Sequence, residues 1–480
     1  MVLARLSATA LDFDAVRSEF DLRDEFSEDV LAEARSATDR HSSERHDRTD
    51  IAVVTIDPPG SMDLDQAVHI EKLDAGFVVH YAIADVGALV EPEGALDTET
   101  RARGQTFYLP DGSVPLHPRV LSEDGGSLVA DRNRLAALWR IELDEAGEAV
   151  AWTVTRATVR SVARFDYAQV QADFDAGTPH PSIAALAEFG ALRARAALRR
   201  GAIDLTLPEQ DVVRNGESWS IRLQARTDVD TWNAEVSLLT GMCAARTMLD
   251  AGVGMLRTLP SPNEGAVATL KNTARTLGIE WPPGASPGAV LASLPGNAPA
   301  TLALMTQATT LLRGADYAAF DGEAPELIDH SGIAAPYAHV TAPLRRLSDR
   351  FATEVCLAVS GGVEIPDWVR RALPDLPAIM RKSDATASKV ERACIDLTEA
   401  TVLHDRIGER FTAHVLRGAE ETRAAEVFVS DPIAIGQCDG EPPEGTTVTV
   451  SLTVADTDRR RVRFAYEPES DANRSVASIK

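Results

Sequence analysis

The residues best suited to chemistry lie in TIDPPGSMDLDQA, residues 55–67, which carries Asp57, Asp63 and Asp65. Asp63 and Asp65 stand two apart, so on an extended chain both carboxylates face one side while Leu64 faces the other. The run Pro58-Pro59-Gly60-Ser61 predicts a turn that brings Asp57 back beside them. Carboxylates gathered in this way raise one another's pKa values unless a cation neutralises them. Hard oxygen ligands suit Mg²⁺, or alternatively Mn²⁺, either of which can clamp phosphate oxygens and activate water for in-line displacement. Spacing alone leaves a second reading open, that of turn and N-cap aspartates on a solvated loop. An EF-hand is disfavoured: counted from Asp63, its sixth and twelfth positions hold Val68 and Asp74 instead of Gly and Glu.

Several elements must position this segment. IAVVTI, 51–56, is a short β-branched run that reads as a buried strand ending at Asp57. Residues 67–72 and 77–86 read as a hairpin, with Gly76 supplying a positive φ in the loop 73–76. Ala- and Leu-rich stretches at 181–200 and 232–320 carry helical spacing, so the middle of the chain is expected to be largely helical. APLRRLSDRFATEVCLAV predicts a helix with Pro343 in its first turn, and a further helix is expected over 381–403. Residues 408–466 alternate in short segments with turn signals, as in a small antiparallel barrel. Short amphipathic helices are expected in a lead-in over 1–48, a solvated link over 36–50 and a disordered tail over 467–480.

A chain of 480 residues, 44% hydrophobic and 25% charged, is long enough for more than one core and lacks the composition of a disordered protein. No run approaches the ~20 uninterrupted apolar residues of a membrane span, and the N-terminal residues lack an apolar core with a cleavage site, so a cytoplasmic protein is expected. The four cysteines form no CxxC pair, which argues against a zinc site or a disulfide framework. A net charge of −25 opposes simple coating of nucleic acid, so any polyanion must be met by a local basic region.

The aspartate block resembles the catalytic motif of the RNB domain, found in the RNase II and RNase R family of exoribonucleases. That motif is a strand-end Asp, five residues, Asp, one residue and two adjacent Asp. Asp57, Asp63 and Asp65 match three positions, and Gln66 stands at the fourth, where the family carries a metal-ligating Asp. YAIADVGALV, GQTFYLPDGSVPLHPRVLSEDGGSL, RRGAIDLTLPE and YAHVTAPLRRLSDR follow in the family's order, so the resemblance covers about 50–405. The barrel is similar to the oligonucleotide-binding domain that follows an RNB domain. The family's N-terminal cold-shock barrels are not recognisable ahead of the aspartate block, so the lead-in or a partner protein is expected to take over their grip on RNA.

The resemblance implies an α+β protein: an RNB catalytic domain with a mixed sheet and surrounding helices over 49–405, then an OB-type barrel over 406–466. It implies 3′-to-5′ hydrolysis of single-stranded RNA to nucleoside 5′-monophosphates, with Asp57, Asp63, Asp65 and Arg345 as catalytic residues. Asp57, Asp65 and Gln66 would hold the metal. Tyr108, Glu235 and Arg346 would touch RNA: Tyr108 as an aromatic wall against the terminal bases, Arg346 on the backbone, Glu235 near the active centre. Without the resemblance, Arg345 and Arg346 read as a helix-surface pair held by Asp349, Glu235 as a solvated helix residue, and Phe107 as core. His339 reads as a satisfied structural group. Arg459, Arg460, Arg461 and Arg463 fit either a phosphate track or an exposed edge. Two other function classes remain: a catalytically silent RNA-binding or regulatory protein that retains the fold, and a metal-dependent phosphatase acting on small nucleotides.

Overall fold

The computed structural model describes residues 11–205, 207, 209–216, 218–224, 226–295 and 298–468. The central sheet has six strands, the two-residue edge strand His46–Asp47 and five longer ones: β1 (Val53–Asp57), β2 (Gln66–Lys72), β3 (Phe77–Ala84), β4 (Asn133–Leu143) and β5 (Ala149–Asp166). β1 to β4 follow one another antiparallel from β1–β2 through β2–β3 to β3–β4, as in the expected hairpin, where Gly76 has φ 92°. The 18-residue β5 pairs antiparallel with β4 through residues 149–160 and then parallel with β1 through 161–166. One long strand thus closes the hydrogen bonding into a ring and puts Asp166 beside Asp57 in register.

Both faces of this sheet are covered, which explains why β3 is buried at every position. Val54, Ile56, Val68, Val79, Tyr81 and Trp139 join a large core with helix α1 (Asp228–Ala251) and helix α2 (Leu347–Gly361). Val53, Ala67, Ala82, Ala84 and Leu138 enter a smaller core with Leu64, Leu121 and Leu344. Alternation therefore sends Asp57 to the side opposite Ile56. The lead-in contains the expected short helices, Asp14–Glu19 and Glu28–Ser36.

Several expectations need correction. The stretch 232–320 is not helical throughout, because Val253–Thr258 and Asp316–Asp321 pair as antiparallel strands across it. Their β-branched and aromatic residues pack into the large core, which outweighs the Ala-rich context. The link 36–50 is not wholly solvated: Arg45 is buried and bonds Asp39 and Asp85, while Arg156 of β5 bonds both Asp85 and Glu354. Helix α3 spans Leu376–Leu403, one turn and more ahead of its expected start. The tail is described only to residue 468, so the expected disorder lies almost entirely outside the described residues.

Strands β6 (Arg410–Arg417), β7 (Ala425–Ser430), β8 (Ile433–Asp439), β9 (Thr447–Asp456) and β10 (Arg461–Ala465) form a closed barrel. It is antiparallel except where β8 meets β10 in parallel, the step that closes it. Arg460 pairs with Glu19 of the lead-in and Arg463 with Asp439, so part of the basic run serves contacts within the chain. Glu399 of α3 fastens the barrel to the rest: its carboxylate accepts the Ile435 N–H and the Gln210 amide, both at 2.8 Å.

Burial pushes the Glu399 carboxyl up to about 7 from an ordinary 4.5, against the pull of those two donors. A carboxyl raised in the folded state stabilises the fold at low pH, and that contribution disappears as pH rises through about 7. Glu399→Gln keeps the acceptor and removes the charge. It is expected to gain up to about 3 kcal/mol on the parent near pH 8 and little near pH 5, as read by urea denaturation at both values.

Candidate active site

β1 ends at Asp57, and the next residues turn sharply: the Ser61 N–H bonds the Pro58 carbonyl at 3.1 Å and Gly60 has φ 87°, a conformation glycine adopts without strain. Arg164, opposite Thr55 on the neighbouring segment of β5, donates to the Ser61 carbonyl and lies 3.7 Å from the Met62 sulfur. Ser127 then anchors the return, its Oγ accepting from Leu64 N at 3.0 Å and donating to Met62 O at 2.6 Å. With Leu64 wholly buried, Asp63 and Asp65 are held on either side of it at the mouth of the sheet.

Asp65 is 3% exposed, and its Oδ1 accepts the Leu344 N–H at 2.7 Å. The Arg345 Nε lies 3.5 Å from Oδ2. The segment 341–346 is therefore part of the site, and it is not helical. α2 begins only at Leu347, with Arg346 as its extended N-cap, so Pro343 lies in a turn ahead of the helix and not in its first turn. The donors of this turn are satisfied from outside it: Asp349 takes the Ala342 N–H at 2.8 Å and Asp65 takes that of Leu344. Carbonyls in the same segment are also taken. The Leu344 C=O lies 3.0 Å from the buried His117 Nδ1, and that of Arg345 accepts the Thr106 N–H at 2.9 Å. Burial lowers His117 to about 4, so it is neutral, with its proton on Nδ1 facing the carbonyl.

Burial, helped by the charge of Asp63, pushes the Asp57 carboxyl up to about 7, while Arg164 and Arg345 oppose the rise. Burial lifts Asp65 well above the carboxylate range despite Arg345 and the Leu344 N–H, and Asp63 adds to it. Asp63 thus acts on both. Asp57 Oδ2 and Asp65 Oδ2 are buried without a hydrogen-bond partner. Orphaned carboxylate oxygens in a site this desolvated fit a hard divalent cation. Among the described residues, however, no three His, Cys, Asp or Glu side chains are placed to hold a metal by themselves. Such an arrangement suits Mg²⁺, which keeps several waters and borrows phosphate oxygens, better than a closed protein cage.

The remaining candidates separate. Tyr108 is 52% exposed on the hairpin Phe107–Leu109/Gly112–Val114, and its hydroxyl donates to Asp63 Oδ2 at 2.8 Å. The hairpin turn is braced from the lead-in, where Arg17 grips Asp111 through two bonds of 2.6 and 2.9 Å. Phe107 is core, packed with Phe13 and Trp219. Arg345 is open to solvent along 42% of its side chain, whereas Arg346 is largely enclosed and bound to Asp349 at 2.8 Å. Glu235 is neither solvated nor beside the aspartates: it is 8% exposed and 3.5 Å from the buried Arg193. Ser237, two residues on and about 200° round the helix, is the one that faces the site, through the Tyr81 hydroxyl. The Gln66 amide is engaged at both ends, by Tyr81 and by Thr341 O. His339 is half-buried, with its Nδ1 2.8 Å from the Tyr317 hydroxyl, as expected of a structural group.

Sequence reasoning missed His117, Arg164 and the Tyr81–Ser237 pair. His117 lies between Leu116 and Pro118 with no local signal. Arg164 was legible in the alternation Arg160, Val162, Arg164, which marks one exposed face of a strand leading to Asp57.

The two arginines should differ in what they stabilise. Arg346→Ala leaves Asp349 buried with its charge unpaired and is expected to cost about 3–5 kcal/mol. Arg345→Ala removes a half-exposed and more distant partner from Asp65, which keeps the Leu344 N–H, and should cost less, about 1–2 kcal/mol. Urea denaturation of the two variants checks the ranking.

Residues 45–357 match the RNB domain, and residues 409–467 match the RNase II-type exonuclease C-terminal S1 domain. Ribonuclease R of Escherichia coli K12 is 31% identical over 322 residues, covering 64% of this chain and 39% of that protein. The chain thus spans about two fifths of the length of this curated relative. Among solved structures, Mycoplasma genitalium RNase R in complex with ribose-methylated single-stranded RNA shares the fold at a TM-score of 0.85 and 19% identity, over 95% of this chain and 77% of that one. Yeast Ssd1, described as a pseudonuclease, aligns at a TM-score of 0.68 and 13% identity, over 89% and 56%. From the match over most of its length, this chain belongs to the RNB-domain family.

Proposed function

We propose that the chain is a metal-dependent 3′-to-5′ exoribonuclease that hydrolyses single-stranded RNA to nucleoside 5′-monophosphates. The observation that carries this reading is Asp65: a buried carboxylate with one oxygen free of hydrogen bonds beside Arg345 and the other fixing the loop that presents that arginine. RNB exoribonucleases are in general divalent-metal dependent, and the Escherichia coli relative is named a ribonuclease.

Asp57, Asp63 and Asp65 are the residues that would hold the ion. A bound divalent cation, Mg²⁺ or Mn²⁺, supplies a polarised phosphate and a more acidic water at neutral pH. The protein's own part is electrostatic and positional. Arg345 keeps one side on Asp65 and offers its exposed N–H groups to phosphate oxygens, where charge develops as the leaving oxygen departs. Tyr108, tethered to Asp63 through its hydroxyl, presents a ring face on which any base can stack, so the terminal nucleotides are seated without regard to sequence. Arg164 steadies the turn between Asp57 and Asp63 and adds positive charge beside them. Arg346 and Glu235 take structural roles in this reading.

A silent RNA-binding protein is the rival reading, since Gln66 stands where the family's motif has a fourth Asp. A 5′-labelled oligoribonucleotide incubated with Mg²⁺ separates the two. A ladder that shortens from the 3′ end supports the nuclease, and retention of intact RNA supports the binder.

In that assay Asp65→Asn is expected to lower turnover by about 10²–10⁴ while RNA binding persists, since the distant grip is untouched. Unchanged turnover would remove Asp65 from the reaction. Tyr108→Ala should change the length of the final oligonucleotide more than the rate on long RNA, because stacking worth about 1–3 kcal/mol per base matters most when few nucleotides remain bound. Identical end products would leave Tyr108 without a stacking role.

A further inference from the structure

Gln66 occupies the first position of β2, where its side chain joins four separate parts of the fold. Its Nε2 donates to the Thr341 carbonyl at 2.7 Å. Its Oε1 accepts from the Tyr81 hydroxyl of β3 at 2.8 Å, and that hydroxyl lies 2.8 Å from Ser237 Oγ of α1. The direction of each bond follows from the donors available. A backbone carbonyl only accepts, so the atom facing Thr341 must be the amide nitrogen. Tyr81 then spends its single proton on Oε1, and Ser237 donates to Tyr81. The chain runs Ser237 to Tyr81 to Gln66 to Thr341 without an unpaired member.

We propose that Gln66 is a neutral positioning residue for Arg345 and not a metal ligand. It sets the start of the 341–346 segment while its neighbour Asp65 sets Leu344, so consecutive residues of one strand fix the loop at two points. An aspartate here is shorter and, when ionised, has no proton to give the Thr341 carbonyl. Glutamate keeps the length and has the same defect. The inference rests on the proposed RNA hydrolysis for its kinetic consequence, but the latch itself is readable without it. The protein's share of the ion's coordination would then fall to Asp57, Asp63 and Asp65, with water and phosphate oxygens completing it, one acidic position fewer than the family's motif provides.

The test uses the full chain with Gln66→Asp, Gln66→Glu, Tyr81→Phe and the double variant Gln66→Glu/Tyr81→Phe. Single-turnover cleavage, RNA affinity, Mn²⁺ affinity by electron paramagnetic resonance and hydrogen exchange across 341–346 are measured for each. Each single variant is expected to slow cleavage by about 10-fold or more, the size of one broken buried hydrogen bond, with RNA and Mn²⁺ affinities within about threefold of the parent. Exchange across 341–346 should rise in all of them, and the double variant should be no worse than Gln66→Glu, because one chain is broken twice. If Gln66→Asp tightens Mn²⁺ by about 10-fold or more and keeps its cleavage rate, position 66 belongs to the coordination shell and the proposal is overturned. Unchanged exchange and cleavage in Tyr81→Phe would overturn it as well. Should the parent cleave no RNA at all, the proposed activity fails, and Mn²⁺ affinity together with exchange still decides the latch.

Discussion

The site depends on one hydrogen bond between residues 279 apart in the chain: the Leu344 N–H to the Asp65 carboxylate. It joins the end of the aspartate loop to the turn before α2, and so brings an acidic and a basic segment to one place. Withdrawing a carboxylate this far from water is costly, and a charged or donor partner is what offsets the cost. Asp65 has both, the amide on one oxygen and Arg345 3.5 Å from the other, yet that second oxygen accepts no hydrogen bond. That residual imbalance is what gives a cation or a phosphate-bound water a reason to enter.

Around this bond the backbone is held at every step. His117 and Thr106 fix the carbonyls of Leu344 and Arg345, Asp349 takes the Ala342 amide, and Gln66 takes the Thr341 carbonyl. Arg345 is the member left half-exposed on this scaffold, while Arg346 is absorbed by it. A fixed backbone that presents one half-exposed guanidinium is the arrangement that electrostatic stabilisation of a developing charge requires, because little reorganisation remains to be done during the reaction. The net charge of −25 fits the same picture. Positive charge is supplied locally by Arg164 and Arg345, not by a basic exterior.

Local patterns made much of this legible. The β-branched run into Asp57, the Pro-Pro-Gly turn and the Gly76 hairpin all depend on neighbours in sequence, and they appear as read. The closed barrel was legible from alternation, although its parallel closure was not. Reading failed where distant partners decide. Pro343 looked like a helix start, yet the turn that holds it is tied to Asp65, far away in the chain, and to Asp349 within the helix that follows. Glu235 looked polar and available until Arg193 buried it. Gln66 was a departure from a motif, and its partners Tyr81 and Thr341 come from two other elements.

The most direct test is where a divalent cation settles. Crystals soaked in Mn²⁺ and measured at the manganese absorption edge would show an anomalous peak within coordination distance of the Asp57, Asp63 and Asp65 carboxylates, on the side facing Arg345, and Asp57→Asn would weaken it. A peak held elsewhere in the chain, with these carboxylates still unligated, would contradict the assignment of the aspartate loop as the reaction centre.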